Sequence, residues 1–215
     1  MKLKVCGMKF DDNIKQVAAL QPDYLGFIFW EPSKRFFDKD MPNVPGNIKK
    51  VGVFVDATIA NILEKCKNYS LVVVQLHGKE SPEFCKELKN RSITILGREI
   101  EIVKVFSIRE TFKFSILEPY ENVCDFFMFD TKGKLPGGNG YTFKWEVLKK
   151  YPSTKPFFLS GGIGLEEVSK VADFLQTKES KYCHAIDVNS RFETEPGNKN
   201  IEKLEKFKTM LAQFS

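Results

Sequence analysis

Histidine is scarce in this chain of 215 residues, which contains only His77 and His184. No Cys-x-x-Cys pair occurs. The five cysteines, Cys6, Cys66, Cys85, Cys124 and Cys183, are odd in number and widely separated. These gaps remove the spacings expected of a zinc site or a disulfide framework. Reduced thiols in a cytoplasmic protein are the expectation. No run approaches the ~20 apolar residues needed to cross a bilayer, and the N-terminus carries no apolar stretch of signal-peptide type, so no membrane partner is expected. A basic stripe interleaved with aromatics is also missing. The net charge is +5, but the signs are mixed, as in Lys86, Glu87, Lys89 and Arg91. Nucleic acid is therefore not an expected partner. No Gly-x-Gly-x-x-Gly follows the first apolar run, which counts against an open dinucleotide-binding sheet.

What is present is repetition. Apolar residues make up 42% and charged residues 28% of the chain, a globular balance, and the 20 phenylalanines are spread as core filling. Eight short apolar runs recur: Leu3–Cys6, Tyr24–Phe29, Val51–Val55, Leu71–Leu76, Ile102–Phe106, Cys124–Phe129, Pro156–Leu159 and His184–Val188. They start roughly 20 to 32 residues apart, the spacing of strand–helix units. Most are apolar on consecutive positions, as in parallel strands covered on both faces. Helical signals lie between them. Asp11 or Asp12 can cap a helix with Ile14, Val17 and Ala18 on one face. Thr58 precedes the stripe Ile59, Ile62, Leu63, Cys66. Ser81 and Pro82 form a cap and a first-turn proline. Val168, Val171, Ala172 and Leu175 form another stripe, and Asn200 opens a last helix with Ile201, Leu204 and Leu211 inward. Cys66 and Cys85 fall on helix faces as packing residues.

Two stretches fit less well. Pro42 and Pro45 interrupt the place of the second helix, where a short or irregular element is expected. Residues 90–102 read as two β-like runs, Ile93–Leu96 and Ile100–Phe106, split by Gly97, with the second as the fifth strand. The pattern predicts one α/β domain over residues 1–215, a (β/α)8 TIM barrel with an irregular or shortened second helix.

In such a barrel, chemistry gathers at the C-terminal ends of the strands. The first run ends at Cys6, a thiol that can be base, nucleophile or packing residue. After the second comes Arg35, whose guanidinium can grip a carboxylate or phosphate, or simply be solvated. The fourth ends at His77, which can orient a ligand or hydrogen-bond locally; His184 opens the eighth and reads as structural. The sixth ends at Asp130, where partial desolvation favours a protonated acid, unless the side chain caps the next loop. That loop contains Gly137, Gly138, Asn139 and Gly140, suited to close backbone approach or to a mobile cover. The seventh ends Ser160, Gly161, Gly162 with a helix following, and the eighth ends Asp187, Val188, Asn189, Ser190. Paired loops of this kind cradle phosphate, although a tight turn explains Gly161–Gly162 alone equally well.

Taken in order, these pieces resemble a known family. Lys4–Val5–Cys6–Gly7 is followed by Leu25–Gly26–Phe27–Ile28–Phe29 with Ser33–Lys34–Arg35, then Val51–Gly52–Val53–Phe54–Val55 and Gln75–Leu76–His77–Gly78. Phe129–Asp130–Thr131 precedes Gly137–Gly138–Asn139–Gly140 and Phe143–Lys144–Trp145. Ser160–Gly161–Gly162 and Asp187–Val188–Asn189–Ser190, with Glu193, Pro196 and Gly197, complete the set. From Val5 to about Phe207 the chain is similar to phosphoribosylanthranilate isomerase, a (β/α)8 family of tryptophan biosynthesis. Departures are Asn139 in place of a common threonine, Arg191–Phe192 in place of a small pair, and the proline-broken second helix.

The resemblance implies an Amadori rearrangement of N-(5-phosphoribosyl)anthranilate, with no metal or organic cofactor. It implies Asp130 as general acid and Cys6 as general base. Arg35 would face the anthranilate carboxylate, Gly161, Gly162, Asn189 and Ser190 the phosphate, and His77 and Asp187 the sugar. The expected partner is this phosphorylated small molecule, bound by a monomer or homodimer. Base chemistry requires the Cys6 thiol to be lowered, by a nearby cation or by the cationic Schiff base itself, and its sequence neighbours, Lys4 included, do not identify the source.

Overall fold

The computed structural model describes residues 1–108, 112–131 and 145–213. Eight parallel strands close into a barrel in simple order: β1 (Lys2–Val5), β2 (Tyr24–Ile28), β3 (Lys49–Phe54), β4 (Val73–Leu76), β5 (Glu101–Ile108), β6 (Phe126–Thr131), β7 (Phe157–Leu159) and β8 (Cys183–Val188). All eight coincide with the apolar runs. Closure comes from β1 against β8, with Lys4 aligned to Asp187 and Val5 to Val188. Because side chains alternate across a strand, the interior takes one residue in two. Tyr24, Val51, Val73, Val103, Val105, Met128, Phe158 and Ala185 fill it, and a larger apolar layer lies between strands and helices.

The helices are α1 (Asp11–Ala19), α2 (Ile59–Tyr69), α3 (Pro82–Leu96), α4 (Val168–Leu175) and α5 (Ile201–Ala212), with short 3-10 turns elsewhere. Thr58, Ser81 and Asn200 each accept a first-turn backbone N–H, as their positions predict. Helix α1 differs: Phe10 stands at its N-cap without a side-chain bond, and Asp11 and Asp12 occupy the first turn instead. There their charges still complement the helix dipole. Cys66 and Cys85 are fully buried on α2 and α3.

Between β2 and β3 no helix forms. A lone bridge, Ile28 to Phe36, precedes irregular chain through Pro42 and Pro45. Phe37, 1% exposed, covers the strands in its place: its ring lies 5.0 Å from Phe27, 6.1 Å from Phe29 and 5.7 Å from Tyr69. The run Ile93–Leu96 is not a strand. It forms the last turn of α3, and Gly97 ends that helix at φ +67°. The fifth strand is the second of the two candidate runs.

His184 lies at the opposite end of the barrel from the loops that follow the strands. Its Nε2 is 2.7 Å from the Tyr24 hydroxyl. Burial, with Lys2 nearby, pushes its pKa down to about 4, so the ring is neutral and structural. No described helix is long and apolar enough to cross a membrane.

Candidate active site

Cys6 follows β1 directly, and its N–H donates to Val188 O on β8 at 2.9 Å. Two positions apart on one strand, Lys4 and Cys6 face the same side. That side is the barrel interior: a Cβ on Gly26 would lie 2.8 Å from Cys6 Sγ, so β2 must present glycine there. The thiol is 4% exposed and Lys4 1%. Lys4 Nζ donates to Asp187 Oδ1 at 2.5 Å across the β1–β8 seam, and Ser160 Oγ donates to Asp187 Oδ2 at 2.8 Å. Asp187 therefore has a partner on each oxygen.

Burial pushes the Cys6 thiol up. Lys4 opposes that, Asp187 adds to it, and Lys199 opposes it more weakly; the net direction is upward. For Lys4, burial works against the ammonium, but Asp187 and then Cys6 raise it above its ordinary value. The cation that the sequence did not identify is thus present. In the substrate-free site it does not overcome desolvation, so of the two sources of lowering, the nearby cation alone is not enough.

Asp130 ends the interior face of β6 and is 5% exposed. His77, just past β4, places Nε2 3.4 Å from Asp130 Oδ2. Gln75, two residues earlier on the interior face, places Nε2 3.5 Å from His77 Nδ1. The loop carrying His77 is braced from outside the barrel. Lys104 Nζ donates to Gly78 O and Glu80 Oε2, both at 2.8 Å, while Glu80 accepts from the N–H groups of Gly78 and Asp56. Gly137, Gly138, Asn139 and Gly140, with Phe143 and Lys144, lie outside the described residues.

Arg35 meets a carboxylate of the chain itself. Its Nε lies 2.8 Å from Glu193 Oε1 and its Nη2 2.6 Å from Glu193 Oε2. Glu193 begins a hairpin, β9 (Glu193–Glu195) and β10 (Asn198–Lys199), and also accepts from Lys199 Nζ at 2.6 Å. Burial would raise the Glu193 carboxyl, but Arg35 and Lys199 hold it below its usual range. Gly7, at φ +74°, permits the crowding: a Cβ there would lie 2.7 Å from both Arg35 Cδ and Asn189 Oδ1.

The loops after β7 and β8 converge. Gly161 and Gly162 take φ +96° and +68°, conformations that favour glycine, ahead of α4. A Cβ on Gly164 would lie 3.1 Å from Arg191 Cβ in the other loop. Asn189 Oδ1 accepts from Lys199 Nζ at 2.7 Å, and Ser190 opens a 3-10 turn. Within the first loop, the Gly164 N–H already donates to Glu167 Oε2 at 3.0 Å. Among the described residues, no three His, Cys, Asp or Glu side chains are grouped to hold a metal ion.

The structure gathers Cys6, Asp130, His77, Arg35, Asp187, Asn189, Ser190, Gly161 and Gly162 at the rim where the strands end. It adds Lys4, Glu193 and Lys199. A signal existed for Lys4, a lysine in an apolar strand run on the same face as Cys6. Glu193 and Lys199 lie in a hairpin after the last strand, and nothing in their spacing announces the ion pairs.

The family profile described as N-(5'phosphoribosyl)anthranilate (PRA) isomerase matches residues 3–209. An N-(5'-phosphoribosyl)anthranilate isomerase of Parabacteroides distasonis is 41% identical over 213 residues, covering 96% of this chain and 91% of that protein. The crystal structure of phosphoribosyl anthranilate isomerase from Thermus thermophilus superposes with a TM-score of 0.82 at 24% identity, covering all of both chains. A phosphoribosyl anthranilate isomerase in complex with reduced 1-(o-carboxyphenylamino)-1-deoxyribulose 5-phosphate gives a TM-score of 0.78 at 23% identity over 99% of each chain. A closed eight-stranded barrel, a rim bearing this ordered set of residues and a profile match across nearly the whole length agree, and the chain belongs to the N-(5'-phosphoribosyl)anthranilate isomerase family.

Proposed function

We propose that Cys6 is the general base and Asp130 the general acid in the Amadori rearrangement of N-(5-phosphoribosyl)anthranilate. Asp130 protonates the furanose ring oxygen, and the ring opens to a Schiff base. Cys6 removes the C2 proton to give an enolamine, which then loses its C2 hydroxyl proton to the Asp130 carboxylate and gains a proton at C1, balancing the one Cys6 took, to become 1-(2-carboxyphenylamino)-1-deoxyribulose 5-phosphate. The side chains exchange only protons with the substrate, whose own nitrogen lone pair expels the ring oxygen as the C1–O bond breaks. The carrying observation is the placement of both groups, each nearly excluded from solvent, on interior faces at the same rim. Buried proton donors and acceptors of this kind typically contribute ~10² to 10⁴-fold each.

The raised thiol fits a base that ionises only when positive charge arrives. The iminium of the Schiff base supplies that charge beside Lys4, so Cys6 is activated at the step that needs it. His77, at 3.4 Å from Asp130, orients the acid at the sugar, and Asp187, held by Lys4 and Ser160, borders it on the other side. Arg35 keeps its Nε–Nη2 edge on Glu193 and offers Nη1 to the anthranilate carboxylate. Gly161, Gly162, Asn189 and Ser190 receive the phosphate at the junction of their loops.

Replacing Cys6→Ala and Asp130→Asn tests the assignment. Each variant is expected to lose ~10²-fold or more in kcat with an unchanged circular dichroism spectrum. Full turnover by either, followed through anthranilate-type fluorescence, removes that residue from its role.

A further inference from the structure

Arg35 by itself is an incomplete site for a substrate carboxylate. Its guanidinium is already matched by Glu193 through two short contacts, so the pair carries no net charge. Lys199 changes that balance. Its side chain is fully buried, and its ammonium donates to Glu193 Oε1 at 2.6 Å and to Asn189 Oδ1 at 2.7 Å. The Lys199 backbone is anchored as firmly: its N–H donates to Asn13 Oδ1 at 2.7 Å, and its carbonyl accepts from Asn13 Nδ2 at 2.8 Å. Two cations therefore share one carboxylate, and the triad carries one positive charge in excess. A buried excess charge is expensive unless a counter-ion arrives.

We propose that Lys199 is a positioning residue for the acidic end of the substrate. By sharing Glu193 with Arg35 it leaves the guanidinium electropositive, and the substrate's ring carboxylate neutralises the excess. The inference rests on the reading that Arg35 faces that carboxylate.

The excess charge is sensitive to pH. The charged or titratable groups facing Lys199 are Glu193 from β9, Arg35 from the loop after β2 and Cys6 at the end of β1. Burial pushes Lys199 down to about 8, with Glu193 and Cys6 working against that shift and Arg35 adding to it. Lys199 is charged at pH 7 and loses its proton as pH rises through that value. Glu193 is then left to neutralise Arg35 alone, and affinity for a carboxylate falls.

The test uses two stable ligands: reduced 1-(o-carboxyphenylamino)-1-deoxyribulose 5-phosphate and its phenylamino counterpart without the carboxylate. Dissociation constants are measured by calorimetry for the unaltered protein, Lys199→Met, Lys199→Arg and Arg35→Met. Lys199→Met is expected to weaken the carboxylate ligand about tenfold, or about 1.4 kcal/mol, and to leave the other ligand nearly unchanged. Lys199→Arg restores most of the loss. In the unaltered protein, the carboxylate ligand alone weakens between pH 7 and 9, a result that does not depend on how any variant folds. Equal losses for both ligands, or none for either, overturn the inference. A selective loss in Arg35→Met without one in Lys199→Met overturns it while leaving the clamp standing. No selective loss in Arg35→Met removes the clamp reading itself.

Discussion

Lys4 stands between the Asp187 carboxyl and a thiol whose pKa burial pushes up. In the proposed mechanism its ammonium serves Asp187 at rest and Cys6 during turnover without moving, because both groups already contact it. Removing it by Lys4→Met is expected to lower kcat/KM by ~10 to 100-fold and to move the acidic limb of the pH–rate profile up by ~1 unit or more, since an opposite charge at this range shifts a pKa by about 1 to 3 units. Lys4→Arg keeps most of both. An acidic limb unmoved in a folded Lys4→Met protein refutes the role. The same variant leaves Asp187 buried without its cation, which costs ~3–5 kcal/mol and is checked by urea unfolding. At this scale the sequence was partly legible. Cys6 and Asp130 could be singled out because strand ends are where barrel chemistry sits. The partner of Arg35 was not, because Glu193 lies 158 positions away in a hairpin that no periodicity marks.

Each strand was readable from its own apolar run, and three helices from their caps. Local preference and tertiary setting disagree in the stretch before β5. Ile93, Thr94 and Ile95 are β-branched and look like strand. They nonetheless continue a helix that Ser81 and Pro82 begin and Gly97 ends, and Ile93 and Ile95 are about half exposed on it. Prolines did signal the missing second helix, but not its substitute. Phe37 fills that place within a ring cluster of Phe27, Phe29, Phe54 and Tyr69. Phe37→Ala is expected to cost ~3–5 kcal/mol in urea unfolding, the range for a buried aromatic cut to alanine. A loss below ~1 kcal/mol would show that the irregular segment covers the barrel without it.

For the molecule as a whole, closure of the barrel assembles the chemistry. Lys4 and Cys6 come from the first strand, and Asp187, Asn189, Glu193 and Lys199 from the last strand and the hairpin after it. The β1–β8 register brings Lys4 against Asp187 across 183 positions of sequence. Spacing along the chain cannot disclose such pairs, although it discloses the barrel that makes them. Once closed, the rim holds a buried thiol and a buried carboxyl, with Lys4, Arg35 and Lys199 at the same end of the barrel. The central claim is that Cys6 takes the C2 proton. It is tested most directly with N-(5-phosphoribosyl)anthranilate deuterated at C2, following product formation and loss of the label together. In Cys6→Ala, both are predicted to be ~10²-fold or more slower than in the unaltered protein. Loss of the label at the unaltered rate in that variant would contradict the claim and move the base to another residue.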